Sequence, residues 1–266
     1  MHPPSTHPST RLRLLLPAAI LAMAPTLAHA AETDIQRRTG LQRIQAVGKP
    51  KRDCWVYVPK VFDPAKQYPL VVVLHPAGLH GRRFVELWGQ LADRTAGFIV
   101  AGPECKDTKR RLWKFADEAD LIATIKHLTS IYSIDPARIL LTGFSQGATY
   151  TYTFGLRNPL LFRAIAPVSG ALIAGPTPEA DAILKRARGL GVYIGHGAAD
   201  NHVPIIRARA SRDRLERAGF KVLYHEIPLH GHFYPPQESA RIWVWFVGLT
   251  TQPEPPPAPK GPTPRP

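Results

Sequence analysis

Apolar residues recur along this chain in two rhythms. Short apolar runs at residues 70–74, 98–101 and 139–141 have the length and composition of strands buried on both faces, and 162–168 and 191–194 read as further strands. Residues 54–58 alternate like a partly exposed strand, and 221–227 complete the set. Between them lie longer stretches of helical period. Residues 83–95 form one, and 117–132 another, with Leu121, Ile122, Ile125 and Leu128 on one face and Asp135-Pro136 closing it. Further helices are expected near Ala180 and Arg212. A last one, at 239–249, carries Ile242, Trp243, Trp245 and Phe246 as core anchors. Strand and helix in alternation predict an α/β fold, a mostly parallel twisted sheet with helices on both faces. No segment between strands is long enough for a large lid.

The two ends follow neither rhythm. Arg11 and Arg13 precede an apolar segment at 14–27, and Ala28-His29-Ala30 has the small-residue pattern of a signal peptidase site. Residues 1–30 therefore read as a signal peptide, and the protein as exported, periplasmic or extracellular. Pro17 and Pro25 and the shortness of the stretch argue against a membrane anchor. No later segment is apolar enough to cross a bilayer. Proline dominates 251–266, which is too poor in apolar side chains to offset ordering entropy and reads as a disordered tail. One domain, 31–250, remains.

Composition changes this picture little. With 266 residues and 44% hydrophobic content the chain can bury one sizeable core. The formal charge of +14 is strongly basic, but the basic residues are dispersed. Their densest run, Arg207, Arg209, Arg212, Arg214 and Arg217, is broken by Asp213 and Glu216 and reads as a solvated helix face. No nucleic-acid motif accompanies it, so no nucleic-acid partner is expected.

The chemistry concentrates at Gly143-Phe144-Ser145-Gln146-Gly147, between an apolar strand and a helix-compatible stretch. That is the setting of a nucleophile elbow, where a tight turn strains the serine backbone and leaves no room for bulk two residues to either side. A serine nucleophile needs a histidine base, and the base needs a carboxylate to fix its tautomer. Asp200 follows the strand at 191–194 and is the candidate acid. His230 and His232 follow the last strand, and either can be the base. His196, His202 and His75 read as loop organisers. An oxyanion needs two N–H donors. The backbone of Gln146 supplies one, and Ala77 is the candidate for the second because Pro76 has no N–H, with Gly78 next. Trp88, Trp113, Phe115, Phe144, Tyr150 and Phe233 are candidate pocket aromatics.

These features resemble the α/β-hydrolase superfamily across residues 53–249. Within it the chain looks similar to secreted esterases of the polyhydroxybutyrate depolymerase and feruloyl esterase group, through Val56-Tyr57-Val58-Pro59, Tyr68-Pro69-Leu70-Val71-Val72-Val73-Leu74-His75, Ile134-Asp135-Pro136-Ala137-Arg138-Ile139 and Phe162-Arg163-Ala164-Ile165-Ala166-Pro167-Val168-Ser169-Gly170. Gly-Phe-Ser-Gln-Gly is equally similar to the phospholipase/carboxylesterase and acyl-thioesterase branch. Departures are Pro76, where the group has glycine, and Ala148, where it has a second glycine.

The resemblance implies an α/β-hydrolase fold and a serine esterase working through an acyl-enzyme, without metal or organic cofactor. Ser145 attacks, Asp200 orients the base, and the loop Gly231-His232 with Pro235 selects His232 over His230. The substrate implied is a small-molecule or chain-end ester. An acyltransferase or peptidase on the same triad and a non-catalytic binding protein on the same fold are the competing classes. The resemblance also brings Cys54 and Cys105 together and implies a disulfide between them.

Overall fold

The computed structural model describes residues 38–48, 51–95 and 97–251. Eight strands are joined in one sheet: β1 (Gly40–Ala46), β2 (Arg52–Val58), β3 (Tyr68–Leu74), β4 (Ile99–Pro103), β5 (Ile134–Phe144), β6 (Ala164–Val168), β7 (Gly191–Gly197) and β8 (Val222–Ile227). Their spatial order is β1-β2-β4-β3-β5-β6-β7-β8. The pairings β1·β2 and β2·β4 are antiparallel and the rest are parallel. Among the described residues six α-helices accompany the sheet: α1 (Gly81–Thr95), α2 (Glu118–Ile131), α3 (Gln146–Arg157), α4 (Pro178–Arg186), α5 (Ile205–Arg217) and α6 (Glu238–Thr251).

The unbroken apolar character of β3 has a direct cause, because helices cover both faces and every side chain of the strand is buried. Leu70, Val72 and Leu74 point into one core layer, with Leu121, Ile125, Tyr152, Leu184 and Leu215. Val71 and Val73 point into the other, with Phe84, Trp88, Ile242, Trp243 and Phe246. Period-two alternation thus divides one strand between two cores. Trp243 lies against Phe98 at 4.1 Å between ring centroids, and burying such a side chain contributes about 1.5–3 kcal/mol. The expected anchors Ile242, Trp243 and Phe246 are all buried, while Trp245 is only partly covered.

Several boundaries differ from expectation. β1 was not foreseen, because an outer strand with exposed polar positions carries no continuous apolar signal. β5 begins at Ile134 and takes in Asp135-Pro136; a register shift opposite β3 between Tyr68 and Leu70 accommodates the proline there. A 3-10 turn at Pro159–Leu161 precedes β6, which starts at Ala164 rather than Phe162. Thr251, expected to open the tail, closes α6. The rest of the tail and the expected signal peptide lie outside the described residues, among which no helix is long and apolar enough to cross a membrane.

The disulfide expectation fails. Cys54 and Cys105 are both buried and both free. Cys54 lies opposite Pro103, so Cys105 is diagonally beyond it. Such a diagonal separates backbone positions by roughly 7–8 Å, more than the about 4.4–6.8 Å a disulfide spans. Each thiol instead faces a nearby carbonyl, Cys54 that of Trp55 at 3.8 Å and Cys105 that of Asp107 at 3.5 Å.

Candidate active site

The chain leaves β3 towards β4 on one side and returns to β5 on the other, so the loops after β3 and β5 diverge from neighbouring strands. Crevices at such a switch point are where open α/β sheets bind ligands. Ser145 stands there, between β5 and α3, with φ 56° and ψ −118°. A non-glycine residue held in that region stores about 1–3 kcal/mol. Its N–H donates to the Val168 carbonyl at 3.0 Å, which holds the turn against β6. A Cβ on Gly147 would strike the carbonyl oxygens of Leu74 and His75, and one on Gly143 would lie 2.6 Å from the Gly147 carbonyl carbon. Glycine at both positions is therefore a packing requirement.

The loops after β7 and β8 meet this turn. His232 Nε2 lies 2.8 Å from Ser145 Oγ, and His232 Nδ1 lies 2.7 Å from Asp200 Oδ2. A carboxylate can only accept, so Nδ1 carries the proton and Nε2 is left to accept from the serine hydroxyl. Asp200 Oδ1 accepts the N–H groups of His202 at 2.9 Å and Val203 at 2.8 Å. Burial pushes the Asp200 carboxyl upward, but these N–H donors and His232 outweigh it and hold the group below its ordinary value. His232 is flanked by the rings of Phe144 at 5.1 Å and His202 at 5.0 Å, both near-parallel to it.

The remaining histidines separate by their partners. His230 Nε2 donates to the Phe233 carbonyl at 2.9 Å, and its own carbonyl accepts the Ala199 N–H at 2.9 Å, tying its loop to the acid's. His196 is buried and donates through Nε2 to the Val203 carbonyl at 2.7 Å; burial lowers its basicity and keeps the ring neutral beside Asp200. His75 is fully buried, also shifted towards the neutral form by burial, and donates through Nδ1 to the Pro76 carbonyl at 2.9 Å.

Of the proposed oxyanion donors, Gly78 is already committed, because its N–H donates to the Arg110 carbonyl at 3.1 Å. Ala77 has no such internal acceptor among the described residues. Gln146 is the first residue of α3, so its N–H is one of those a helix leaves without an intrahelical acceptor. The loop bearing Ala77 is braced by Trp113, whose indole N–H donates to the His75 carbonyl at 2.9 Å. Sequence reasoning offered Trp113 only as a pocket aromatic. Instead it is buried, stacked on Tyr150 and in tilted contact with His75. Trp88 lies wholly in the core, whereas Phe115 and Phe233 are exposed.

Residues 109–244, just over half of the chain, match the family model described as Phospholipase/Carboxylesterase. The chain belongs to the phospholipase/carboxylesterase family. Solved structures share its α/β-hydrolase fold. "Probable feruloyl esterase C" of Aspergillus terreus is 28% identical over 161 residues, 58% of this chain and 57% of that protein. The chain thus spans little more than half the length of that curated relative. Among solved structures, a thermostable esterase is 25% identical with a TM-score of 0.60, covering 79% of this chain and 60% of its own. A CE1 ferulic acid esterase from Anaeromyces mucronatus, solved with ferulic acid, shares the fold at 17% identity and a TM-score of 0.63, over 82% of this chain and 94% of its own.

Proposed function

We propose that this phospholipase/carboxylesterase family member is an exported serine esterase that hydrolyses carboxylic esters through an acyl-enzyme. The observation that carries the reading is the unbroken relay from Ser145 Oγ through His232 to Asp200, with links of 2.8 and 2.7 Å. As Ser145 attacks the ester carbonyl, its proton passes to His232 Nε2, and the buried Asp200 carboxylate stabilises the imidazolium. The N–H groups of Gln146 and Ala77 receive the developing oxyanion. His232 then gives its proton to the departing alcohol oxygen, and the acyl group remains on Ser145. Water, deprotonated by His232, attacks the acyl-enzyme; His232 returns that proton to the departing Ser145 Oγ as the acid is released.

Feruloyl esterase among the relatives supports an aromatic acid on the acyl side. Exposed Phe233, next to His232, and exposed Leu79, in the oxyanion loop, offer apolar surface for it. The signal-like segment at 1–30 supports export.

The test is hydrolysis of a panel of p-nitrophenyl and hydroxycinnamoyl esters by the wild type and Ser145→Ala. Losses on the order of 10³-fold or more are expected on removing the nucleophile. Failure of the folded wild type both to hydrolyse any ester and to react with a fluorophosphonate probe would move it to a non-catalytic role. Ester turnover retained by folded Ser145→Ala would refute the assignment of the nucleophile.

A further inference from the structure

The loop that carries Ala77 is held at three points by a single segment of chain. The His75 carbonyl accepts the Trp113 indole N–H at 2.9 Å, the Gly78 N–H donates to the Arg110 carbonyl at 3.1 Å, and the Gly81 N–H donates to Glu104 Oε1 at 3.0 Å. Start, middle and end of the loop are thus fixed to residues 104–113, while the Ala77 N–H has no acceptor of its own among the described residues. Of the three anchors, Glu104 gathers the most further donors.

Glu104 follows β4 directly, and its side chain is only 11% exposed. Besides Gly81, Oε1 accepts the indole N–H of Trp55 on β2 at 3.2 Å, and exposed His80 approaches it through Nδ1 at 3.4 Å. Oε2 accepts from Arg111 Nη1 at 3.4 Å; His75 Nε2, at 3.7 Å, lies beyond hydrogen-bond distance. Arg111 is held at φ 52°, a left-handed conformation that a residue other than glycine keeps only where its surroundings fix it. It stands between Arg110, which grips Gly78, and Trp113, which grips His75. One carboxylate therefore joins the end of the Ala77 loop to the strained turn of the segment that holds the rest of it.

We propose that Glu104 is a positioning residue for the oxyanion hole: it sets where the Ala77 N–H points and acts on the reaction only through that donor. The inference rests on the serine-esterase reading. The same carboxylate also caps α1, which has no acidic residue in its own first turn. A cap alone acts on stability and leaves the turnover of each folded molecule unchanged. A positioning residue acts on the transition state, where the oxyanion is formed.

The experiment measures turnover per active site, counted by titration to completion with a fluorophosphonate, on the p-nitrophenyl ester that the wild type hydrolyses best. A folded wild type that neither labels nor turns over would overturn the esterase reading and this inference with it. An active wild type upholds that reading whatever the variants do. In Glu104→Ala, kcat per titrated site should fall about tenfold with KM changed by less than about twofold, a smaller loss than deleting an oxyanion donor outright. An arylboronic acid, whose tetrahedral adduct on Ser145 places an oxygen in the oxyanion hole, should lose affinity by a similar factor. Glu104→Gln keeps an oxygen for Gly81 and Trp55, and Arg111→Gln alters a partly exposed side chain; both break the link at Oε2 alone, and each should lower kcat about threefold. These two variants carry the test if Glu104→Ala does not fold. Unchanged kcat per titrated site beside a lowered Tm would leave only a helix cap and overturn the proposal. So would a loss confined to KM, a kcat loss with boronic acid affinity intact, or full kcat in both Glu104→Gln and Arg111→Gln.

Discussion

Gln146 and Trp113 exchange two hydrogen bonds: the Gln146 side-chain oxygen accepts the Trp113 N–H at 3.1 Å, and its Nε2 donates to the Trp113 carbonyl at 2.9 Å. Because the Trp113 indole in turn holds the His75 carbonyl, the elbow and the loop bearing Ala77 are fixed to one another through a third segment. Both proposed oxyanion donors are therefore tied to one residue, the elbow through the Trp113 backbone and the Ala77 loop through the Trp113 indole.

Gln146→Leu keeps the backbone N–H and removes the amide that grips Trp113. Catalysis should suffer more than binding, with kcat falling about tenfold and KM changing little, since a donor displaced by a fraction of an ångström acts mainly on the transition state. Trp113→Phe should give the same split. A rise in KM at unchanged kcat, in either folded variant, would contradict the brace.

His232→Ala should lose nearly as much kcat as Ser145→Ala, and the double variant little more, because the two act as one unit. His230→Ala removes only a loop hydrogen bond to Phe233 and should retain most activity. The reverse result would transfer the base to His230.

Asp200 is held below its ordinary carboxylate value in the folded protein, so its ionised form favours folding. That contribution is complete above the unfolded value near ~3.9 and is lost as pH falls through the depressed folded value. Asp200→Asn removes the titrating group along with, on the order of 10⁴-fold, the activity of a triad. Wild-type and variant Tm values should therefore converge as pH is lowered from about 6 to about 3. Parallel Tm curves across that range would show that Asp200 contributes nothing to acid sensitivity.

Unfolded, unreduced protein should titrate two thiols with Ellman's reagent. In the native protein both should react slowly at pH 8, since burial pushes Cys105 up to about 11 and Cys54 higher still. Reductant should leave Tm unchanged. A thiol count of zero in the unfolded, unreduced protein would restore the disulfide.

Gly147→Ala should destabilise the fold by about 2–4 kcal/mol or prevent its formation, because the added methyl meets the backbone of β3 rather than a side chain that can move. Chemical denaturation against the wild type measures it.

The legible parts of this molecule are those in which one short segment carries the whole signal. The unbroken run of β3 announces burial on both faces, and the two glycines around Ser145 announce a turn without room. The loop that carries Asp200 was locatable because the apolar run at 191–194 marks the end of β7 just before it. β1 was not, since an edge strand half in water alternates too weakly. The Trp113 brace could not be read at all. It joins residues far apart in sequence that carry no shared pattern and meet only through packing. The disulfide failed for a related reason, because two residues of register along an antiparallel pair decide it and composition does not report register.

The proposed catalytic residues come from three separate strand ends, and the last of them follows β8, the outermost strand on its side of the sheet. During refolding, turnover cannot return when the elbow forms. It must await the docking of β8 on β7, which brings His232 to a serine that precedes it by 87 residues. Recovered activity is therefore a clock for the closing of that edge, and core fluorescence, reporting Trp88 and Trp243, should run ahead of it.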